Sequence, residues 1–278
     1  MPNDVRPAAL AGEAGRSMAA VPDFTLDIVI PVYNEGPNIL NVLKALDAAV
    51  QSPARVLICY DREDDDTLST INAHWQGGRL PVVFVRNQGK GAHGAVMTGL
   101  HAGAAPYAIM YPGDDDYNAG ILDAMVAKAA AGNDIVCASR FIPGGSMVGC
   151  PWLKAFLVRA AASSLYHLAD VPTRDPTNGF RLFSRRVIDQ IVVESTEGFT
   201  YSLELLVKVQ RLRWGIAEVP AQWFERRAGQ SRFKVLRWIP GYLTWYFYAF
   251  CTTYGRLKPG SVRLKQAGVL RPGKELAR

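Results

Sequence analysis

The stretch Tyr107-Ala108-Ile109-Met110-Tyr111-Pro112-Gly113-Asp114-Asp115-Asp116-Tyr117-Asn118 decides how this chain folds. Its first four residues form an apolar run with the length of a short buried strand. Pro-Gly then interrupts the run, and three carboxylates follow. Carboxylates at the mouth of a buried strand are costly unless something compensates them. Asp114 and Asp116 stand two apart, so in an extended segment both point to one side. Oxygen donors of this kind suit Mg²⁺ or Mn²⁺ shared with substrate phosphates. The plainer explanation of an acidic triplet is a solvated turn, so the rest of the chain has to decide.

Working outward, apolar runs recur at 26–32 (LDIVIPV), 55–60 (RVLICY) and 81–85 (PVVFV), and after the triplet at 134–139 (DIVCAS). Helical patterns lie between them, over 38–50, 66–75, 91–103 and 121–131. In the first, Ile39, Val42, Leu43 and Leu46 share a face. Strands alternating with helices predict an α/β fold, a mostly parallel sheet covered on both faces. Ligands in such sheets bind beyond the carboxyl ends of the strands. Asn34, Glu35, the acids between 61 and 66, Asp114 to Asn118 and Arg140 all fall just past strand ends, so polar chemistry converges on one edge. Further on, helices are expected over 151–168, with Trp152, Phe156, Leu157, Ala160 and Leu165 as an apolar stripe, and over 199–211. Strands are expected after the turn at 175–183 and over 217–224.

The 278 residues are 49% hydrophobic, ample for a core, which excludes a disordered chain. The net charge of +6 is uneven: residues 226–278 carry 12 Lys/Arg against one acid, Glu275. Such asymmetry points to a polyanionic surface. Residues 238–255 carry no charge and many aromatics, with Pro240 and Gly241 inside. This is near the lower limit of a membrane span, so an interfacial or partly inserted hairpin is expected, with the basic tail on anionic headgroups. A buried C-terminal core helix is the alternative. Nucleic acid is not expected, because the aromatics adjoin aliphatics instead of alternating with basic residues. Cys59, Cys137, Cys150 and Cys251 lack metal-ligand spacing, which fits a reduced, cytosolic compartment. Residues 1–23 read as a flexible leader without a secretory signal.

Two further motifs need weighing. Gly89-Lys90-Gly91-Ala92-His93-Gly94 matches the dinucleotide fingerprint, which keeps an NAD-dependent oxidoreductase as a remote alternative. Its simpler explanation is a tight turn with close helix packing. Arg140, Arg181, Arg226 and Arg232 stand at strand ends or in loops, where guanidinium groups can grip phosphate. The four histidines show no ligand spacing.

Taken in order, Ile30-Pro31-Val32-Tyr33-Asn34-Glu35, the acids of 61–67, Gly89-Lys90-Gly91, Asp114-x-Asp116, Ser139-Arg140-Phe141, DPTNGFR at 175–181 and ERRAGQSR at 225–232 resemble glycosyltransferase family 2. Within it they are similar to the transferases that load sugars onto polyprenyl phosphates, such as dolichol-phosphate mannosyltransferase. The resemblance implies a GT-A fold over residues 24–232, a membrane-interface helical segment over 233–255 and a basic tail over 256–278. It implies an inverting transfer from a nucleotide-sugar, GDP-mannose or a UDP-sugar, to a lipid phosphate at the cytoplasmic face of a membrane. By the same resemblance Asp114, Asp116 and Asn118 hold Mg²⁺ or Mn²⁺. Pro31, Tyr33, Glu35, Asp61, Asp65, Lys90 and Asp115 line the donor nucleotide. Arg140 and Arg181 meet the acceptor phosphate and, with Asp116, carry catalysis; Arg226, Ser231 and Arg232 close over the phosphates. Tyr60, Asp115 and Arg232 depart from the family pattern, which leaves the base open. A sugar hydroxyl is the other acceptor; it would need a base, for which Asp115 or Asp175 is the candidate.

Overall fold

A computed structural model describes residues 24–224 and 235–265. Its centre is a seven-stranded sheet in the order β3 (Val82–Arg86), β2 (Ala54–Tyr60), β1 (Leu26–Pro31), β4 (Tyr107–Met110), β7 (Arg181–Ser184), β5 (Asn133–Ser139), β8 (Gly215–Pro220). β1 pairs in parallel with β2 and β4, β2 with β3, and β5 with β8. The apolar runs are continuous because these strands are covered on both faces: Ile28, Val29 and Ile30 are all fully buried. One face carries α1 (Gly36–Ala49), α2 (Asp66–His74) and α4 (Leu122–Ala130); Ile39, Leu43, Ile71 and Met125 fill that core. The other carries α3 (Gly91–Ala102), α5 (Trp152–His167), α6 (Arg185–Gln190), α7 (Thr200–Leu212) and α8 (Val235–Thr253), packed through Val96, Leu165, Ile188, Leu206 and Ala249. Gly99 lets α3 lie on β1, since a Cβ there would sit 2.3 Å from Val29 Cγ1. The expected α/β architecture is therefore the observed one.

The second half holds the surprises. β7 runs antiparallel between β4 and β5. A separate parallel pair, β6 (Ser146–Val148) with β9 (Gln222–Phe224), forms a small second sheet. The segment expected as an interfacial hairpin is one helix, α8, which passes through Pro240. It lies along α7, with Trp245 and Ala249 buried. Trp245 Nε1 donates to Ser195 Oγ at 2.8 Å, and the Arg211 guanidinium lies 3.4 Å over Tyr248. That packing overrides the local break that Pro240 and Gly241 encode. Among the described residues no helix is long and apolar enough to cross a membrane. After α8 the chain adds to the segment following α6: Lys265 N donates to Gln190 O at 2.7 Å, and Ile191 bridges Leu264. The leader of 1–23 and the tail beyond Lys265 lie outside the described residues.

Candidate active site

Strand order reverses at β1, with β2 and β3 on one side and β4 on the other. Such a switch point opens a crevice at the carboxyl ends of the strands. The loops leaving β1, β2 and β4 all enter it.

The first two loops are laced together by carboxylates. Asp65 accepts from the Asn34 amide at 3.1 Å and from the Thr67 amide at 2.9 Å. Thr67 Oγ1 accepts from the Glu35 amide at 2.9 Å, and Asp66 from the Gly36 amide at 2.9 Å. These bonds satisfy the leading amides of α1 and α2 and hold Asn34 at φ 54°. Asp65 is 4% exposed and its oxygens accept from backbone amides, so it holds the loop that carries Glu35 beside the second loop. Asp61 is half-buried and accepts from the Asn87 side chain. Glu35 accepts from Asn38 Nδ2 at 2.9 Å and abuts the third loop: a Cβ on Gly113 would lie 3.5 Å from Glu35 Cγ. Pro31 is half-buried, Tyr33 is 49% exposed and Lys90 is exposed at the start of α3.

The glycine motif has closed on itself. A Cβ on Gly89 would meet Gly94 Cα at 2.9 Å, and Asn87 Oδ1 accepts from the Gly89 amide at 2.8 Å and from Thr98 Oγ1 at 3.1 Å. The close-packing explanation accounts for these glycines.

The acidic loop separates its three carboxylates. Asp115 is 4% exposed. It accepts from the Asn118 amide at 2.9 Å, from Asn118 Nδ2 at 2.6 Å and from the Tyr117 amide at 3.2 Å. Burial holds its carboxyl above the usual carboxylate range, against the pull of those donors. Asn118 is 3% exposed and is also bolted to β9: Nδ2 donates to Gln222 O at 2.8 Å, and Oδ1 accepts from Gln222 N at 2.9 Å. Both side chains, expected at the nucleotide and the metal, turn inward here and brace the loop. Their bracing leaves Asp114 half-buried and Asp116 exposed at its rim. Beside them, Tyr117 packs edge-on to Phe224 at 4.8 Å, and its hydroxyl is pushed up to about 12 by burial and then by the neighbouring carboxylates. Among the described residues no three His, Cys, Asp or Glu converge as a metal cluster. A two-carboxylate site still fits a hard cation that completes its shell with substrate phosphate and water.

Arg140 continues this edge from β5. Its Nε and Nη2 donate to Asp175 at 2.7 and 2.8 Å, and Nη2 reaches Thr177 Oγ1 at 3.0 Å. Asp175 is fully buried and also accepts from the Arg140 amide at 2.9 Å. It therefore aims Arg140 and is not open as a base. Arg181, expected at the acceptor phosphate, is fully buried in β7 and donates to the carbonyls of Ser202 and Pro176, while its Nε is buried without a hydrogen-bond partner among the described residues. Arg226, Ser231 and Arg232 lie outside the described residues. Sequence reasoning missed Gln222 and Asn87, which position site residues through backbone and amide bonds that leave no motif.

An apolar fringe borders the same edge. On α5, Trp152 is 79% exposed, Phe156 62% and Leu157 58%. Ser164 Oγ lies 2.7 Å from Tyr246 OH, and Thr253 Oγ1 donates to Ala169 O at 2.7 Å. Those pairs set α5 and α8 side by side, running in one direction.

The family model for glycosyl transferase family 2 matches residues 27–192, and the chain belongs to that family and is a glycosyltransferase. It is 26% identical to a Mycolicibacterium smegmatis polyprenol monophosphomannose synthase, over 81% of this chain and 91% of that one. It is 30% identical to a Haloferax volcanii dolichyl-phosphate hexose transferase, over 76% and 88%. It is also 23% identical to the Pyrococcus furiosus dolichol-phosphate mannosyltransferase, over 75% of this chain, which spans only 59% of that longer enzyme. Among solved structures, the Mycobacterium tuberculosis glucosyl-3-phosphoglycerate synthase in complex with Mn²⁺, UDP and glucosyl-3-phosphoglycerate aligns with a TM-score of 0.56 at 17% identity, covering 84% of this chain and 80% of that one. At that identity the likeness is one of fold.

Proposed function

We propose that this transferase moves a hexose from a nucleotide-sugar to a polyprenyl phosphate at the cytoplasmic face of a membrane. The observation that carries the reading is a coincidence on one edge: the rim carboxylates Asp114 and Asp116, the aimed Arg140 and the exposed apolar side chains of α5. The named sequence relatives act on polyprenol or dolichol phosphates, and they support the same acceptor class.

Asp114 and Asp116 would hold Mg²⁺ or Mn²⁺, which when bound neutralises the donor diphosphate and the departing nucleotide. Glu35 and Asp61, with Tyr33 and Lys90, border the crevice where the nucleoside would lie. Arg140 Nη1 lies beyond the bonds to Asp175 and Thr177, 3.8 Å from Met147 Sδ, and would take an acceptor phosphate oxygen. An ionised phosphate needs no base to attack the anomeric carbon, so positioning and electrostatics suffice. This matters because both candidate bases are engaged, Asp115 with Asn118 and Asp175 with Arg140. A hydroxyl acceptor would lack a proton acceptor among them. Trp152, Leu153, Phe156 and Leu157 would rest in the bilayer interface and bring the crevice to the lipid.

The test is transfer of radiolabelled hexose from GDP-mannose or UDP-glucose, with Mn²⁺, to polyprenyl phosphate and to unphosphorylated polyprenol. Label should enter the organic phase with the phosphate acceptor alone. Equal labelling of polyprenol, or label appearing only on soluble acceptors, would overturn the reading.

A further inference from the structure

Beside Arg140 a cleft of about 380 Å³ opens between the loop after β5, the C-terminal half of α5 and the segment before Asp175. Arg140, Phe141, Arg159, Tyr166, His167 and Arg174 line it. The ring of Phe141 lies between two guanidinium groups, 5.1 Å from Arg140 and 5.7 Å from Arg159, while Arg174 covers Tyr166 at 4.9 Å. Guanidinium groups laid on ring faces keep outward N–H donors that can take an anion. Asp175 answers Arg140. Glu218 accepts instead from the Thr173 hydroxyl at 2.8 Å and from the Arg174 amide at 2.7 Å. Among the described residues no carboxylate forms a salt bridge with Arg159 or Arg174. Two exposed arginines, with His167 beside them, therefore line an open cleft without a carboxylate partner among the described residues.

We propose that this end of the cleft is a phosphate-binding subsite, formed by Arg159, Arg174 and His167 and separate from the acidic loop. Guanidinium groups bind phosphate through paired, charge-assisted hydrogen bonds, and the ring faces keep them extended and parted without a protein carboxylate. The position suggests how such a group arrives. On α5 the residues 152, 156, 159, 163 and 167 follow one stripe, apolar at its first turns and then polar from Arg159 through Ser163 to His167. A phosphate presented beyond the apolar turns, whether on a lipid headgroup or on a soluble molecule, meets Arg159 first. The subsite stands whether or not polyprenyl phosphate is the acceptor.

The experiment uses the full chain without donor. Inorganic phosphate is titrated against the melting temperature, with chloride at matched ionic strength as the control. Pelleting with phosphatidylcholine vesicles, with and without phosphatidic acid, is measured in parallel. The variants are R159Q/R174Q and, independently, S163E, which sets a carboxylate beside the same groups on an exposed helical position. Phosphate should raise the wild-type melting temperature beyond chloride, and both variants should weaken its apparent affinity about tenfold. If the preference for phosphatidic acid falls in parallel, the lipid headgroup is the source; if it is unchanged, the source is soluble. An unaltered phosphate response in either folded variant, or none in the wild type, overturns the subsite.

Discussion

Two acidic runs face the same crevice and use their carboxylates in opposite ways. After β2, Asp65 and Asp66 bind backbone amides and tie two loops together. After β4, only the middle acid, Asp115, does this, and its neighbours Asp114 and Asp116 are held at the rim. The difference lies in the count of local amides needing partners. Two helices begin beside the first run, whereas the second wraps one turn that a single carboxylate and Asn118 can satisfy. An acid run is thus a mixture of scaffold and working groups, and accounting for hydrogen bonds separates them where spacing does not.

The sharpest way to break this contrast is Asp116→Ala. It should lower kcat/KM by about 10³-fold, the scale of a lost charge-stabilising group. The melting temperature should hold, as for other exposed positions. Melting loss with retained turnover would place Asp116 among the scaffold acids. Asp65→Ala should do the reverse, removing a cap and stranding the Asn34 amide at a cost of about 2–3 kcal/mol. Urea unfolding would read that loss, with activity per folded molecule little changed. Asn118→Ala should fall between, at about 1–2 kcal/mol, because it frees Asp115 and Gln222 together. Its metal-dependent nucleotide affinity should weaken as the rim loosens; unchanged affinity would mean that Asp115 alone braces the loop. The smallest effect is a pH dependence. The Glu194 carboxyl is held below its ordinary range, first by its hydrogen bond from Lys208. Its contribution is therefore present above the usual glutamate pKa and is lost as pH falls through the depressed value. The stability gap between wild type and Glu194→Gln should close on acidification, and a constant gap would assign it to packing.

Much of this was legible in sequence. The first five strands and the four helices among them follow from runs of buried length and a period of 3.6, because each pattern reports its own burial. The crevice followed too, since the polar residues stand at strand ends. What stayed hidden depends on distant partners. Arg181 interrupts the apolar pattern in β7, and nothing local says that the carbonyls of Ser202 and Pro176 will accept its hydrogen bonds. The Asn118–Gln222 tie spans 104 residues, and β6 and β9 are too short to carry a pattern. α8 defied the hairpin reading because Trp245 and Ala249 find α7, a gain larger than one missing ladder bond. Cys59 and Cys137, which lack metal-ligand spacing, pack in the core as small hydrophobes, and burial pushes the Cys59 thiol up to about 12.

The segment that ends at Lys265 also sets how the molecule can be held. Lys265 Nζ lies 3.2 Å from His101 Nε2 near the end of α3, and α3 runs back from the crevice to the opposite edge of the sheet, where a Cβ on Gly103 would strike Asp27. A chip surface or fluorophore attached beyond that lysine would start from the side away from Asp116. The acidic rim and the tryptophan of α5 would then be left facing outward, open to vesicles flowed across an oriented layer of the enzyme.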